Sequence, residues 1–294
     1  MTSEEQHLAV RSGAGLFDFS FMGLHEFTEA IALQALQSRD LGALQPGQIA
    51  YTLLLEPDGA VRIDATVWRF EDRYWLFAGK RASYGGRDRS GELAILALQG
   101  PASGIILSRL VGAAPVADLR YFRFARMGEL LVGRIGYSGE LGYELLVPVH
   151  AAAALREELL EAGRPEGLRQ CGWPCADSLR IEAGYILFDR EVDGVANPRE
   201  LGLERLVDDA REFGLSRKLI GLELTDESAP ASLPPATVTS ECFSPTLRKR
   251  LALAFVAPGL ADGAHVRAHG RLARVTKLPF YDPERRRPRA APAL

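Results

Sequence analysis

Tight turns between apolar runs are the feature that most constrains this chain. The turn at 56–59, Glu-Pro-Asp-Gly, separates the apolar runs 51–55 and 61–70, which is the pattern of a β-hairpin. Short turns also join three further apolar runs, at 121–126, 129–134 and 143–147. Such turns connect antiparallel strands, whereas parallel strands need long crossovers. The chain is therefore predicted to contain mainly antiparallel sheet.

Helices are also predicted, but strands and helices do not alternate regularly along the chain. Apolar spacing and capping residues predict four of them, near 28–37, 101–110, 150–162 and 174–183. No glycine-rich phosphate loop follows any predicted strand. These patterns predict an α+β fold and disfavour a Rossmann or P-loop enzyme.

Composition narrows the class of protein further. With 294 residues, 47% of them apolar, the chain can bury a large core, which excludes disorder or a coiled coil throughout. The net charge of −3 provides no global positive field, so nucleic-acid binding is not expected. No apolar run reaches membrane-spanning length, residues 1–7 do not resemble a signal peptide, and the three cysteines are an odd number. We expect a soluble, cytoplasmic protein.

One proline-rich stretch stands out as a linker. Residues 226–235 combine three prolines with serine and alanine, and four short apolar runs separated by turns follow. The prediction is a region at 1–225, a linker at 226–236 and a C-terminal antiparallel β-barrel at 237–294.

Motifs along nearly the whole chain resemble the glycine cleavage T-protein family, the folate-dependent aminomethyltransferases. The N-terminal motifs are GLFDFSFMG at 15–23, LQGP at 98–101 and RIGYSGE at 134–140. The later motifs are DSLRIEAG at 177–184, NP at 197–198, LIG at 219–221, FSPTL at 243–247 and KLPF at 277–280. Their order also matches that of the family.

The resemblance implies both a fold and an activity. The family's fold is a ring of three modules, two ferredoxin-like α+β modules and a C-terminal β-barrel, around a central hole that binds reduced folate. The implied activity is transfer of an aminomethyl or methyl carbon to tetrahydrofolate. The implied partners are folate and a small one-carbon donor. A lipoyl carrier protein stays an open question, because the stretch 80–92 is shorter than in typical members.

Two carboxylates match the family's most important positions. Asp64 matches the catalytic aspartate, which would lie beside the folate N10, hydrogen-bond to that amine and favour developing positive charge. Glu144 matches the glutamate that binds the pterin, whose ring N–H and exocyclic amine suit a bidentate carboxylate. Four more residues match the lining of the family's pocket: Met22, Tyr51, Tyr137 and Tyr185.

One departure from the family leaves two functions open. The family's folate-binding arginine precedes the DSLR run, but Ala176 stands at that position here. The first hypothesis is a tetrahydrofolate-dependent one-carbon transferase that uses Asp64. The alternative is a folate-binding accessory protein without transfer activity, related to the iron-sulfur assembly branch of the superfamily. The five histidines show no metal-ligand spacing, and no metal is expected.

Overall fold

A computed structural model describes residues 1–208 and 212–294 of the chain. Its helices are, in order, α1 Ser3–Ser12, α2 Ala30–Gln34, α3 Ser103–Val111, α4 Ala113–Asp118, α5 Ala152–Ala162 and α6 Trp173–Glu182. Its strands are β1 Gly15–Asp18, β2 Gly23–Phe27, β3 Ile49–Leu55, β4 Val61–Arg69, β5 Tyr74–Ala78, β6 Arg87–Asp88, β7 Leu93–Gln99, β8 Phe124–Met127, β9 Leu130–Gly133, β10 Gly142–Pro148, β11 Arg169–Gln170, β12 Lys218–Ser228, β13 Pro235–Ser244, β14 Lys249–Val256, β15 His265–Ala268 and β16 Arg271–Thr276. The longest of these helices, α5, has 11 residues, whereas a membrane-crossing helix needs about 20.

The prediction of mainly antiparallel sheet is confirmed, and the strands of this region form two separate sheets. The first sheet has the strand order β11-β1-β7-β10-β9-β8, and only its β1–β11 pair is parallel. The second sheet has the order β3-β4-β5-β2-β6 and is inserted in the chain between β1 and β7. The predicted hairpin is its β3–β4 pair, in which Leu53 lies opposite Asp64. The α+β fold class is thus confirmed.

Aromatic side chains pack the two sheets together. Trp68 of the second sheet is fully buried, and its ring centroid lies 5.1 Å from that of Phe77 and 5.0 Å from that of Phe124 in the first sheet. A Cβ atom at Gly133 would lie 2.2 Å from the Trp68 ring, so only glycine fits at that point of β9. Truncation of a buried tryptophan of this kind costs about 3–5 kcal/mol. This packing fixes the position of one sheet relative to the other.

The barrel begins earlier in the chain than the predicted boundary. Strands β12, β14, β13, β15 and β16 close the barrel in that order, so its first strand starts at Lys218. The proline-rich stretch therefore connects β12 to β13 within the barrel, and is not a linker between domains at 226–236. Proline marks a break in regular structure without showing whether that break separates two domains or two strands. The barrel also contains one short parallel pair, β13 with β15.

The N-terminal helix α1 was not visible in the sequence pattern. It begins with a capping box of Thr2 and Glu5, but its buried face contains His7 and Arg11. The Arg11 guanidinium pairs with Glu140 at 2.8 Å and with Glu182 of α6 at 2.7 Å. A helix that buries charged groups has no apolar stripe for a periodicity search to detect.

Candidate functional site

A cavity opens between the two sheets, and we call it the inter-sheet cavity. Five predicted site residues line it: Met22, Tyr51, Asp64, Tyr137 and Glu144. They come from the β1–β2 turn, from β3 and β4 of the second sheet, and from the β9–β10 turn and β10 of the first sheet. Asp64 and Glu144 are the charged residues of a lining that is otherwise largely aromatic and aliphatic. The fold thus brings together residues separated by up to 122 positions in the chain.

Asp64 is held by a hydrogen bond from the neighbouring strand. The Tyr51 hydroxyl donates to Asp64 Oδ2 at 2.9 Å. Tyr51 lies opposite Thr66 in the β3–β4 register, so Asp64 is its diagonal neighbour, within reach of an aromatic side chain. Alternation along β4 turns Asp64 and Thr66 toward the cavity, while Ile63 and Val67 are buried in the core on the other side of the second sheet. Oδ1 of the carboxylate takes no part in the Tyr51 hydrogen bond.

Burial raises the pKa of Asp64 to about 6. The Tyr51 hydrogen bond acts in the opposite direction, because it stabilises the ionised form. The negative charge of Glu191 raises the pKa further, and the positive charge of Arg180 lowers it. Asp64 can therefore change protonation state close to neutral pH, as a proton-transferring or charge-stabilising group requires.

Glu144 is a buried carboxylate without a protein partner. Glu144 is 7% exposed, and no side chain or backbone N–H of the described residues donates a hydrogen bond to its carboxylate. Burial alone raises its pKa to about 7. Glu144 lies opposite Ala97 on β7 and Gly133 on β9, neither of which has a side chain that can donate a hydrogen bond to it. A buried carboxylate with unused acceptor capacity is costly, so the site suits a ligand that supplies two adjacent N–H groups.

Tyr137 forms one wall of the inter-sheet cavity. Its hydroxyl donates to the Ile186 carbonyl at 2.6 Å, and its ring centroid lies 6.5 Å from that of Trp173 and 6.0 Å from that of Tyr185. Both neighbouring rings are close to parallel with it. Tyr185 follows the αL residue Gly184 at the end of α6 and is not among the residues that line the cavity. Ligand contact by Tyr185 stays a prediction.

The position of the missing arginine is filled by apolar packing. Ala176 of α6 is 3% exposed and packs in the core between the sheets. Arg180, one turn later, is bound to protein groups: it donates to Asp177 at 2.8 Å, to Glu191 at 2.9 Å and to Ser240 at 2.6 Å. Its guanidinium is therefore not free to replace an arginine at 176.

Glu191 is a residue of the site that the sequence patterns did not reveal. It is fully buried, and its Oε1 accepts hydrogen bonds from Thr239 and Ser240 of the barrel, each at 2.6 Å. Its Oε2 accepts from Arg180 and from the backbone N–H of Leu187, at 2.9 and 2.8 Å. Leu187 lines the cavity, so Glu191 ties this wall to both α6 and the barrel.

Comparison with known proteins agrees with this architecture. Residues 1–211 match the model of the GCVT N-terminal domain, and residues 217–282 match that of the glycine cleavage T-protein C-terminal barrel domain. The chain belongs to the glycine cleavage T-protein family. The second match starts next to Lys218, where the structure also begins the barrel.

Curated relatives of this T-protein family member are similar over most of its length. An aminomethyltransferase from Symbiobacterium thermophilum is 36% identical, covering 96% of this chain and 90% of the relative. One from Aquifex aeolicus is 34% identical over 86% of this chain and 78% of the relative. The crystal structure of the glycine cleavage system aminomethyltransferase T from Bartonella henselae superposes with a TM-score of 0.80 at 25% identity, over 96% and 90% of the two chains. The resemblance predicted from the motifs is confirmed.

Proposed function

We propose that the protein is a tetrahydrofolate-dependent one-carbon transferase, with Glu144 binding the pterin and Asp64 serving the transfer. The observation that carries the proposal is Glu144, a buried carboxylate without a protein partner in a cavity lined with aromatic rings. The paired N–H groups of a pterin would satisfy both of its oxygens. The relatives named aminomethyltransferase support the same assignment.

The cavity residues fit a reduced folate in two further respects. Tyr137 and Met22 offer a flat ring and a flexible thioether to a planar heterocycle and its benzoyl group. Asp64 lies on the other sheet, with Oδ1 free of the Tyr51 hydrogen bond. Ionised Asp64 would accept a hydrogen bond from a folate amine and favour positive charge that develops as carbon moves. Above a pH of about 6, Asp64 is in this ionised form.

Asp64→Asn separates transfer from binding. Asparagine keeps the size of the side chain and removes its charge, so we expect turnover to fall by about 100-fold or more while the Kd for tetrahydrofolate changes by less than about threefold. Turnover would be followed by the absorbance of methylated or methylene tetrahydrofolate during a screen of amine and ether donors. Undiminished turnover in Asp64→Asn would contradict the role of Asp64.

Ala176 favours a second candidate function. The resemblance places a folate-binding arginine there, and Arg180 already donates hydrogen bonds to four protein groups. A protein that binds folate without transferring carbon is consistent with this loss. Single-turnover measurements with saturating tetrahydrofolate distinguish the two: the binding protein would show saturable folate binding and no product with any donor of the screen.

A further inference from the structure

A second chamber adjoins the inter-sheet cavity, and we call it the outer chamber. The two share Phe21, Trp173 and Phe188 in their linings, so they lie side by side. The outer chamber differs in charge, because its lining adds Asp18, Asp177, Asp189 and Arg190 to these rings. A molecule in the outer chamber would therefore lie next to any ligand of the inter-sheet cavity, in surroundings of different chemistry.

Two half-exposed rings form an aromatic corner in the outer chamber. The centroids of Phe21 and Trp173 are 5.8 Å apart, and the ring planes meet at 89°. Phe21 is 45% exposed and Trp173 is 40% exposed, although side chains of this size usually bury most of their surface. Perpendicular rings can present more than one π face to the same point. The face of an aromatic ring attracts a cation, and that of tryptophan does so most strongly.

Carboxylates stand beside this corner. Asp177 follows Trp173 by four residues on α6, which places both on one face of the helix. Arg180 pairs with Asp177 but also with the buried Glu191, so one guanidinium is shared between two carboxylates. The Asp18 carboxylate pairs with Arg156 at 2.7 Å, and Asp189 has no ion pair within residues 1–208 and 212–294.

The outer chamber is negative overall. Its lining has three carboxylates, those of Asp18, Asp177 and Asp189, against the single basic side chain of Arg190. Arg190 and Arg156, which pairs with Asp18, offset two of these three negative charges. Arg180 adds no further compensation, because its charge is balanced by the buried Glu191. One negative charge is therefore left over. An anionic ligand would meet net repulsion here, whereas a monovalent cation would neutralise the excess.

We propose that the outer chamber binds the substituted ammonium group of a small, N-alkylated one-carbon donor. N-alkyl groups present apolar surface to Phe21 and Trp173, and the positive charge meets both the ring faces and the neighbouring carboxylates. The proposal rests on the proposed function, since it takes the inter-sheet cavity as the folate side of the reaction. The shared lining of the two spaces places a donor in the outer chamber next to the folate side of the reaction.

Choline and its neutral isostere 3,3-dimethyl-1-butanol test the proposal as a pair of probes. They share one shape, and only choline is charged. We expect the intact protein to bind choline about fivefold to thirtyfold more tightly than the alcohol in a calorimetric titration, the preference expected from cation–π attraction. Trp173→Leu and, separately, Phe21→Leu should reduce this preference to less than about twofold.

Phe243→Leu is the matched control, because Phe243 is also 45% exposed but lies on the barrel strand β13. It should leave the preference for choline unchanged. Equal affinity for choline and the alcohol in the unmodified protein would overturn the proposal, as would a preference that survives both ring substitutions in folded protein. A tetrahydrofolate titration of the unmodified protein separates the two proposals. If that protein binds tetrahydrofolate but shows no preference for choline, only the outer-chamber proposal is refuted; if it binds no tetrahydrofolate, the proposed function fails.

Discussion

Glu144→Gln should abolish a loss of folding stability that the unmodified protein suffers as pH rises, and should also remove the proposed ligand contact. Burial raises the pKa of Glu144 from an ordinary 4.5 to about 7. The unfolded chain therefore releases this proton at lower pH than the folded protein does. Folding stability is consequently lost as pH rises from about 4.5 to about 7, and it then levels off with respect to this group.

The size of this effect follows from the two pKa values. At 1.36 kcal/mol per pKa unit, ionised Glu144 costs about 3 kcal/mol of folding free energy above pH 7. Between about pH 5 and pH 8, the stability of Glu144→Gln relative to the unmodified protein should rise by roughly 2 to 3 kcal/mol. The new amide changes the free energy of unfolding by the same amount at both pH values, so its contribution cancels in this comparison. The contributions of all other titrating groups cancel too, because both proteins contain them.

Urea unfolding without folate, at about pH 5 and pH 8, measures the difference. Glu227→Gln is the matched control, because Glu227 is exposed on β12. The control should follow the unmodified protein at both pH values. Parallel loss of stability in the unmodified protein and in Glu144→Gln would show that Glu144 is not a buried, unpartnered acid, and would refute the reasoning.

Three further predictions concern the surroundings of Asp64. The rate of carbon transfer should rise with pH through about 6 as Asp64 ionises, and a pH-rate profile without that limb would contradict its role. Tyr51→Phe removes a hydrogen bond that lowers the pKa of Asp64, so the same profile should move to higher pH; an unmoved profile would contradict the contact. Glu191→Gln leaves the buried Arg180 short of a charge partner, and urea unfolding should show a loss of about 3–5 kcal/mol, whereas a loss under about 1 kcal/mol would show that the pair is dispensable.

Much of the fold could be predicted because its signals are local. The turn at 56–59 fixes the β3–β4 hairpin, and the pairing of these strands then brings Tyr51 within reach of Asp64. The identity of the site carboxylates depended on the resemblance. Alternation along a strand shows that Glu144 faces one side of a sheet, but not that the other sheet covers that side.

The remaining features depend on contacts between distant parts of the chain. His7 and Arg11 are polar in sequence, yet both are buried because Glu182 and Glu140 pair with them from more than 125 residues away. Nothing in the sequence distinguishes Glu191 from an ordinary surface glutamate. It is buried because Thr239 and Ser240 of the barrel donate hydrogen bonds to it in the folded protein. The aromatic corner arises likewise, because Phe21 and Trp173 come from separate elements that meet only in the folded protein.

Titration of tetrahydrofolate into the unmodified protein and into Glu144→Gln tests the folate site most directly. Glutamine has nearly the same shape, but it replaces one acceptor oxygen with a donor and removes the charge. We predict saturable binding to the unmodified protein and at least about a tenfold weaker affinity in Glu144→Gln, as expected when a charge-assisted hydrogen bond is lost. Equal affinity in the two proteins, or no binding to either, would contradict a pterin site at Glu144.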